Sequence, residues 1–425
     1  MRVLVFSHGH PTFSKGGGEF AAYYLYKGID ETPGHEAWFA ARGEEKLLHL
    51  GTPIASLNKK EYLISGNADI PHLTTWLALD DESDYAEMLR TVRPDVIHFH
   101  HYVHLGLELI RAAKRICPNA RIVLTLHEYI AICMNSGQMV KTDGRLCHQA
   151  SPRECAQCFP DRTPESFFLR ERYIKSFFDV VDEFVSPSEF LRDRYIAWGI
   201  EAERITVIEN GLPVAQKTPP RKIQPDGKRG RFAYFGQINP FKGVDVVLDA
   251  FARLDDEVKK DVTLDIFGSG LKNQSQEYQA RFAKLLEENK DHIRYHGQYE
   301  PHEMGRIMAD VDWVVMGSVW WENSPLVIQE AYKFGRPVIC PDIGGMAEKV
   351  INGEGGLHYR VRDSISLASV VAGAYADCEQ YDRLCAQLPQ AMTIERCVSE
   401  HLALYTKNET SETDITEDRS NLVVV

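Results

Sequence analysis

"WWENSPLVIQEAYKFGRPVICPDIGGMAEKV", residues 320–350, is the stretch from which the fold can be read. Ser324 is a good N-cap and Pro325 suits the first helical position, so a helix is expected to open there. Gly335, with Pro337 behind it, ends that helix after about three turns. "PVICPD" (337–342) then reads as a short buried strand, and Gly344-Gly345 as a turn through which backbone can approach a ligand. Helix, strand and turn in this order are the unit of a parallel α/β sheet. Two acids flank the apolar segment Leu326, Val327 and Ile328. Glu322 falls beside the positive end of the helix, where the N–H groups of Leu326 and Val327 can meet phosphate or sugar oxygens. Glu330 falls about a turn and a half further in, suited to accept hydrogen bonds from two vicinal hydroxyls such as those of a ribose. The plainer alternative makes Glu322 a cap and Glu330 a solvated helix residue.

The same alternation runs outward in both directions. "RVLVFS" (2–7), a glycine-rich loop and "GEFAAYYLYKGID" form a β-loop-α unit. "DVIHFH" (95–100), "RIVLTLH" (121–127), "EFVSPS" (183–188) and "ITVIEN" (205–210) continue it, separated by helical segments. A Pro-, Lys- and Arg-rich stretch without either period then intervenes, and "RFAYFG" (231–236) restarts the pattern. The expected organisation is a first doubly wound domain over 1–211 with a cysteine-bearing loop at 128–163, then a linker over 212–231. A second such domain follows over 232–390, then a helix over 391–407 packing back toward the first domain, and an acidic disordered tail over 408–425. Two Rossmann-like domains place ligands at the carboxyl ends of their strands, so the cleft between them is the expected site.

The chain has 425 residues, enough for two or three domains, and a net charge of −13 that argues against a nucleic-acid footprint. No uncharged apolar run is long enough to span a bilayer, and the first residues lack a secretory signal pattern, so a cytoplasmic protein is expected. Nine cysteines, an odd number, argue against a disulfide framework.

Three further motifs stand out. Gly16, Gly17 and Gly18 lie between the first strand and its helix, where backbone N–H groups can face an anion or simply form a turn. Lys242 ends the turn after the second domain's first strand, placed to neutralise a leaving diphosphate. Cys133, Cys147, Cys155 and Cys158 form a C-x13-C-x7-C-x2-C pattern whose last pair suits one tetrahedral ion, so a structural zinc site is expected, against the alternatives of reduced cysteines or a redox pair.

Taken in order, the GGGE run, "TLHEY", "VSPSEFLRDRY", "VIENG", "FGQINPFKGVDVVLDAF", the two spaced acids and "DIGGMAEKVINGEGGL" resemble a retaining glycosyltransferase of family 4 with the GT-B fold, nearly as far as residue 405. Bacterial members of surface and exopolysaccharide assembly are the most similar variety. The resemblance implies transfer of a hexose-type sugar from a nucleotide-diphosphate sugar to a glycan or lipid-linked acceptor, with no catalytic metal. It implies that Glu330 holds the donor ribose and that Glu322 and His127 lie near the donor sugar. The amides around Ser324, Pro325 and Leu326 would face sugar and phosphate, and Lys242, Gly17 and Gly18 the phosphates. Gln237 stands where the common pattern has an arginine, so one of two expected cations is missing. The alternatives are a GT-B nucleotide-sugar epimerase or phosphorylase, or a non-catalytic nucleotide-sugar binding protein. A paired-carboxylate hydrolase does not fit, because its two acids must flank one bond. The segment "PESFFLRERYIKSFFDVV" has Phe167, Ile174, Phe177, Phe178 and Val181 at helical spacing with basic residues between. It suits either a core-facing helix or peripheral contact with an anionic membrane at its inner face.

Overall fold

The structure is a computed structural model describing residues 1–43, 48, 52–66, 69, 71–214, 218–223 and 227–407. The acidic segment expected to be disordered lies outside the described residues.

Fourteen strands among the described residues form two sheets. The first contains β1 (Arg2–Ser7), β2 (Glu36–Arg42), β3 (Ile54–Ser56), β4 (Glu61–Ile64), β5 (Val96–Phe99), β6 (Arg121–Thr125), β7 (Glu183–Ser186) and β8 (Ile205–Val207). Its order is β3-β4-β2-β1-β5-β6-β7-β8, parallel except for the edge pair β3–β4. The second contains β9 (Arg231–Phe235), β10 (Thr263–Phe267), β11 (Ile293–Gly297), β12 (Trp313–Val315), β13 (Val338–Pro341) and β14 (Gly356–Tyr359), all parallel, in the order β11-β10-β9-β12-β13-β14. The central strands are apolar at nearly every position because helices cover both faces. Val3 and Val5 enter one core cluster and Leu4 and Phe6 another, on opposite sides of the first sheet. In the second sheet Phe232 and Tyr234 divide from Ala233 and Phe235 in the same way. This is the expected architecture: two Rossmann-like domains facing a cleft.

The chain passes between the domains twice. The first passage follows β8, and the second precedes the helix Ile394–Thr406, which packs on the helix Gly17–Asp30. Gly28 makes that packing possible, since a Cβ there would lie 2.6 Å from Val398 Cγ2. The two passages are bonded to each other: Leu212 N–H donates to Met392 O at 2.9 Å, and Ile394 N–H to Leu212 O at 2.9 Å. Gln329 bonds both, donating from Nε2 to Asn210 O at 2.8 Å and accepting at Oε1 from Met392 N–H at 3.0 Å. The segment before β9 is anchored by charge, because buried Asp312 accepts from Arg221 at 2.8 Å and Arg229 at 3.3 Å.

Candidate functional site

The carboxyl ends of both sheets' strands open on one cleft of about 530 Å³, within the usual size range of a small-molecule site. Gly16, Gly17, Gly18 and His127 line its first-domain wall; Gln237, Lys242, Glu322, Ser324, Pro325, Leu326 and Glu330 line the other. The structure therefore brings these residues together in one cleft, whereas Gly344, Gly345 and the four cysteines do not line it. The helix Gly17–Asp30 begins from an extended Gly16 with no side-chain cap, so its first-turn N–H groups are left for a ligand. The two glycines face the opposite domain and the histidines at contact distance. A Cβ on Gly17 would sit 3.6 Å from Leu326 Cδ1 of the opposite domain, and one on Gly18 would sit 3.4 Å from His8 and 3.8 Å from His127.

Lys242 ends a single turn, Pro240–Lys242, capped by Asn239, whose side-chain oxygen accepts from the N–H groups of Phe241 and Lys242, both at 3.0 Å. Its Nζ donates to Glu322 Oε1 at 2.7 Å. Ser318 Oγ and Trp320 Nε1 donate to the same oxygen at 2.6 and 2.9 Å. Three donors on one oxygen fix the buried carboxylate and leave Oε2 for a ligand hydroxyl. Glu322 is thus the partner of the cleft's lysine. Gln237 lies beside them and accepts from Asn239 Nδ2 at 3.3 Å.

Two expectations from the sequence need correction. The helix runs Leu326–Lys333 with Pro325 as its N-cap residue and no side-chain cap. Ser324 does not cap it, because its Oγ bonds instead to Glu209 Oε1 of the first domain at 3.3 Å. The helix end is consequently freer to meet a ligand than a capped one. Gly344 and Gly345 serve backbone rather than ligand. Gly345 N–H donates to Glu322 O at 2.8 Å, and a Cβ on Gly345 would lie 1.5 Å from Asn323 O. The glycine pair presses up against the loop that carries Glu322.

Burial pushes the Glu330 carboxyl up to about 7, against a weaker opposing pull from Lys333. His127 is shifted the other way, to about 3, by burial and by neighbouring His8 and His401. It is therefore a neutral ring at physiological pH. Its Nε2 lies 3.0 Å from Nδ1 of His100, whose own Nε2 is buried without a partner among the described residues. A buried lone pair is cheaper to leave unpaired than a buried N–H, so the proton of His100 belongs on Nδ1. That ring then donates to His127 Nε2 and puts the His127 proton on Nδ1. His98 continues the stack, bonded to Tyr405 Oη at 2.6 Å and Thr125 Oγ1 at 2.7 Å. Sequence reading missed this chain, although the run His98, His100, His101 at the end of β5 signalled it. It also missed Lys15, which spans the cleft mouth to Glu300 at 2.6 and 2.7 Å. A contact between residues so far apart in sequence leaves no local trace.

Cys133, Cys147, Cys155 and Cys158 surround a separate small cavity as free thiols. Contrary to the expectation of a formed zinc site, no three metal-ligating side chains among the described residues stand in a metal-holding array. The helix Pro164–Phe178 buries Phe167, Ile174, Phe177 and Phe178, as a core-facing helix should. No helix among the described residues is long and apolar enough to cross a membrane.

Residues 15–216 match the family model described as Glycosyltransferase Family 4, and residues 216–387 match that of Glycosyl transferases group 1. The chain belongs with the GT-B glycosyltransferases. Among curated relatives, it is 27% identical to the glycogen synthase of Mycobacterium tuberculosis over 305 residues, 72% of this chain and 66% of that protein. It is 27% identical to the D-inositol 3-phosphate glycosyltransferase of Corynebacterium efficiens over 236 residues, 52% of this chain and 54% of that one. The chain thus spans between half and two thirds of these relatives. Two solved structures share the fold. Anabaena HepE in complex with UDP and glucose has a TM-score of 0.65 at 17% identity, covering 95% of this chain and 99% of that one. The sucrose-phosphate synthase of Thermosynechococcus elongatus has a TM-score of 0.66 at 16% identity, covering 95% and 98%.

Proposed function

We propose that this GT-B protein transfers a hexose-type sugar from a nucleotide-diphosphate sugar, with retention of configuration, to a glycan or lipid-linked acceptor. The supporting observation is the convergence of Lys242, Glu322, Glu330, His127 and two uncapped helix ends on one cleft. Glu330 accepts from the ribose hydroxyls, and Glu322 Oε2 and His127 Nδ1–H hold the sugar. Lys242 turns from Glu322 onto the diphosphate, where the helix ends share the charge. The sugar C1–O bond to phosphate breaks as the acceptor oxygen bonds C1 from the same face, and the departing phosphate takes the acceptor proton. No protein nucleophile is needed, which agrees with the engagement of Glu322 by three donors.

Lys15 is the other lysine on the cleft wall. We assign to it the second cationic role that Gln237 leaves open, with Glu300 holding it until donor arrives. UDP is our first choice of nucleotide because HepE was solved with it. The acceptor we favour belongs to bacterial envelope polysaccharide synthesis, built at the cytoplasmic face of the membrane. Release of nucleoside diphosphate from a panel of labelled UDP-, GDP-, ADP- and dTDP-sugars tests the reading. We expect one donor to turn over and Lys242→Ala to lower kcat by about 100-fold or more. Tight donor binding with no turnover for any acceptor extract would favour the binding-protein alternative.

A further inference from the structure

The loop 128–163 does more than decorate the first domain, because it reaches across to the donor side. Cys147 O accepts from Trp321 Nε1 at 3.0 Å, and the His148 ring meets Trp321 edge-on at 5.1 Å. Arg194 lies 5.0 Å over the same indole and donates to His148 O. Arg362 of the second domain donates to Gly144 O. Trp321 immediately precedes Glu322, so this loop braces the carboxylate's own segment.

The brace has little regular structure to stiffen it. Its helix, Pro152–Cys158, buries none of its residues, and its strand pairing is one bridge, Val140 to Leu146. What it does have is a cavity of about 20 Å³ onto which all four cysteines converge from three parts of the loop. That is room for roughly one water-sized occupant. Cys155 and Cys158, three apart on the helix, share a face. Lys141 and Glu154 stand at the same cavity, ion-paired at 2.6 Å. Arg170 lines a neighbouring cavity with Cys155, donates to Ile130 O at 2.7 Å and Ala131 O at 2.8 Å, and interacts electrostatically with the Glu128 carboxyl.

We propose that Cys133, Cys147, Cys155 and Cys158 bind one Zn²⁺ tetrahedrally, and that the metal stiffens the loop that holds Trp321 and hence Glu322. Because the thiols do not stand in a metal-holding array beforehand, binding draws them together and releases four protons to solvent as four S–Zn bonds form. The effect on Glu322 rests on its donor role proposed above; the metal site itself does not.

The experiment uses the full chain, grown with zinc and purified without chelator. Elemental analysis is expected to find about one zinc per chain, and four of the nine thiols should resist a thiol reagent until chelator is added. Cys155→Ser with Cys158→Ser should lose the metal, while Cys378→Ser keeps it. If the double variant does not fold, chelation and zinc add-back on the wild-type chain supply the same comparison. Less than about a tenth of an equivalent of zinc, a Cys155–Cys158 disulfide in the purified protein, or unaltered zinc in the double variant would overturn the site. For the coupling, chelation should weaken UDP-sugar binding by about tenfold, and zinc should restore it. Zinc bound at full stoichiometry with unchanged donor affinity would overturn the coupling alone. Failure to bind any nucleotide sugar even with zinc would count against the donor reading instead.

Discussion

Glu330 makes a prediction in which binding and stability move in opposite directions. Its carboxyl sits near 7 in the folded chain, against 4.5 for an ordinary glutamate. A ribose presents two hydroxyls, and only the ionised carboxylate can accept from both at once. Below about pH 7 the donor must therefore displace a proton, and each further unit of pH weakens binding by up to about tenfold, or 1.4 kcal/mol. Above about pH 8 the dependence disappears, because the carboxylate is already ionised. Glu330→Gln removes the titration and replaces one acceptor with a donor. Losing one charge-assisted bond should raise Kd by about 10- to 100-fold at neutral pH. Stability follows the opposite sign. The folded pKa is raised, so the folded chain holds the proton more tightly. Stability is favoured in acid and declines as pH climbs from the ordinary glutamate range through about 7. Glu330→Gln should then raise Tm more at about pH 8 than at about pH 5. Calorimetry with UDP-sugar in two buffers of different ionisation enthalpy measures both Kd and proton release. A Kd that is flat across this range, or a Gln variant that binds like wild type, would refute the reasoning.

Lys15→Ala should lower kcat by about 10- to 100-fold with a smaller change in donor Kd, whereas Glu300→Ala should leave kcat nearly intact; equal kcat for wild type and Lys15→Ala would remove Lys15 from the diphosphate. Gly345→Ala forces a methyl group into Asn323 O and should displace the Glu322 segment. We expect a fall in Tm equivalent to about 1–3 kcal/mol and a larger loss of donor affinity than Gly353→Ala gives; matched affinities would show that the glycine does not support the site. His100→Ala should weaken donor binding by about 10-fold by letting the His127 proton move to Nε2, and wild-type donor affinity would show that His100 does not set the His127 tautomer.

The repeating pattern was legible because each central strand is buried on both faces and therefore reads as an unbroken apolar run, as "RVLVFS" and "RFAYFG" do. The edge was harder. β3 and β4 are three and four residues long, too short to show a period. The cleft residues could be named from motifs because the loops that carry them follow strands directly. Their partners could not. Ser324 looks like a helix cap until Glu209, from the other domain, is placed beside it. Gly344 and Gly345 look like a ligand turn until the backbone of residues 322–323 is seen to fill the space. In each case the deciding atom is remote in sequence. The four cysteines were legible as a pattern, but their link to Trp321 appears only in three dimensions.

The paired passages between the domains set how the cleft can move. Two bonded strands of backbone allow rotation about one axis far more readily than a free swing. Gln329 is fastened to both passages, and Glu330 is the next residue. The ribose grip proposed for Glu330 would then sit beside the pivot, while Lys15–Glu300 is a separate contact between the two domains. As the domains part, a nucleotide held at Glu330 should move little, and the Lys15–Glu300 pair should separate. A donor can then dock by its ribose first and be enclosed afterwards, with the order of events set by distance from a single glutamine.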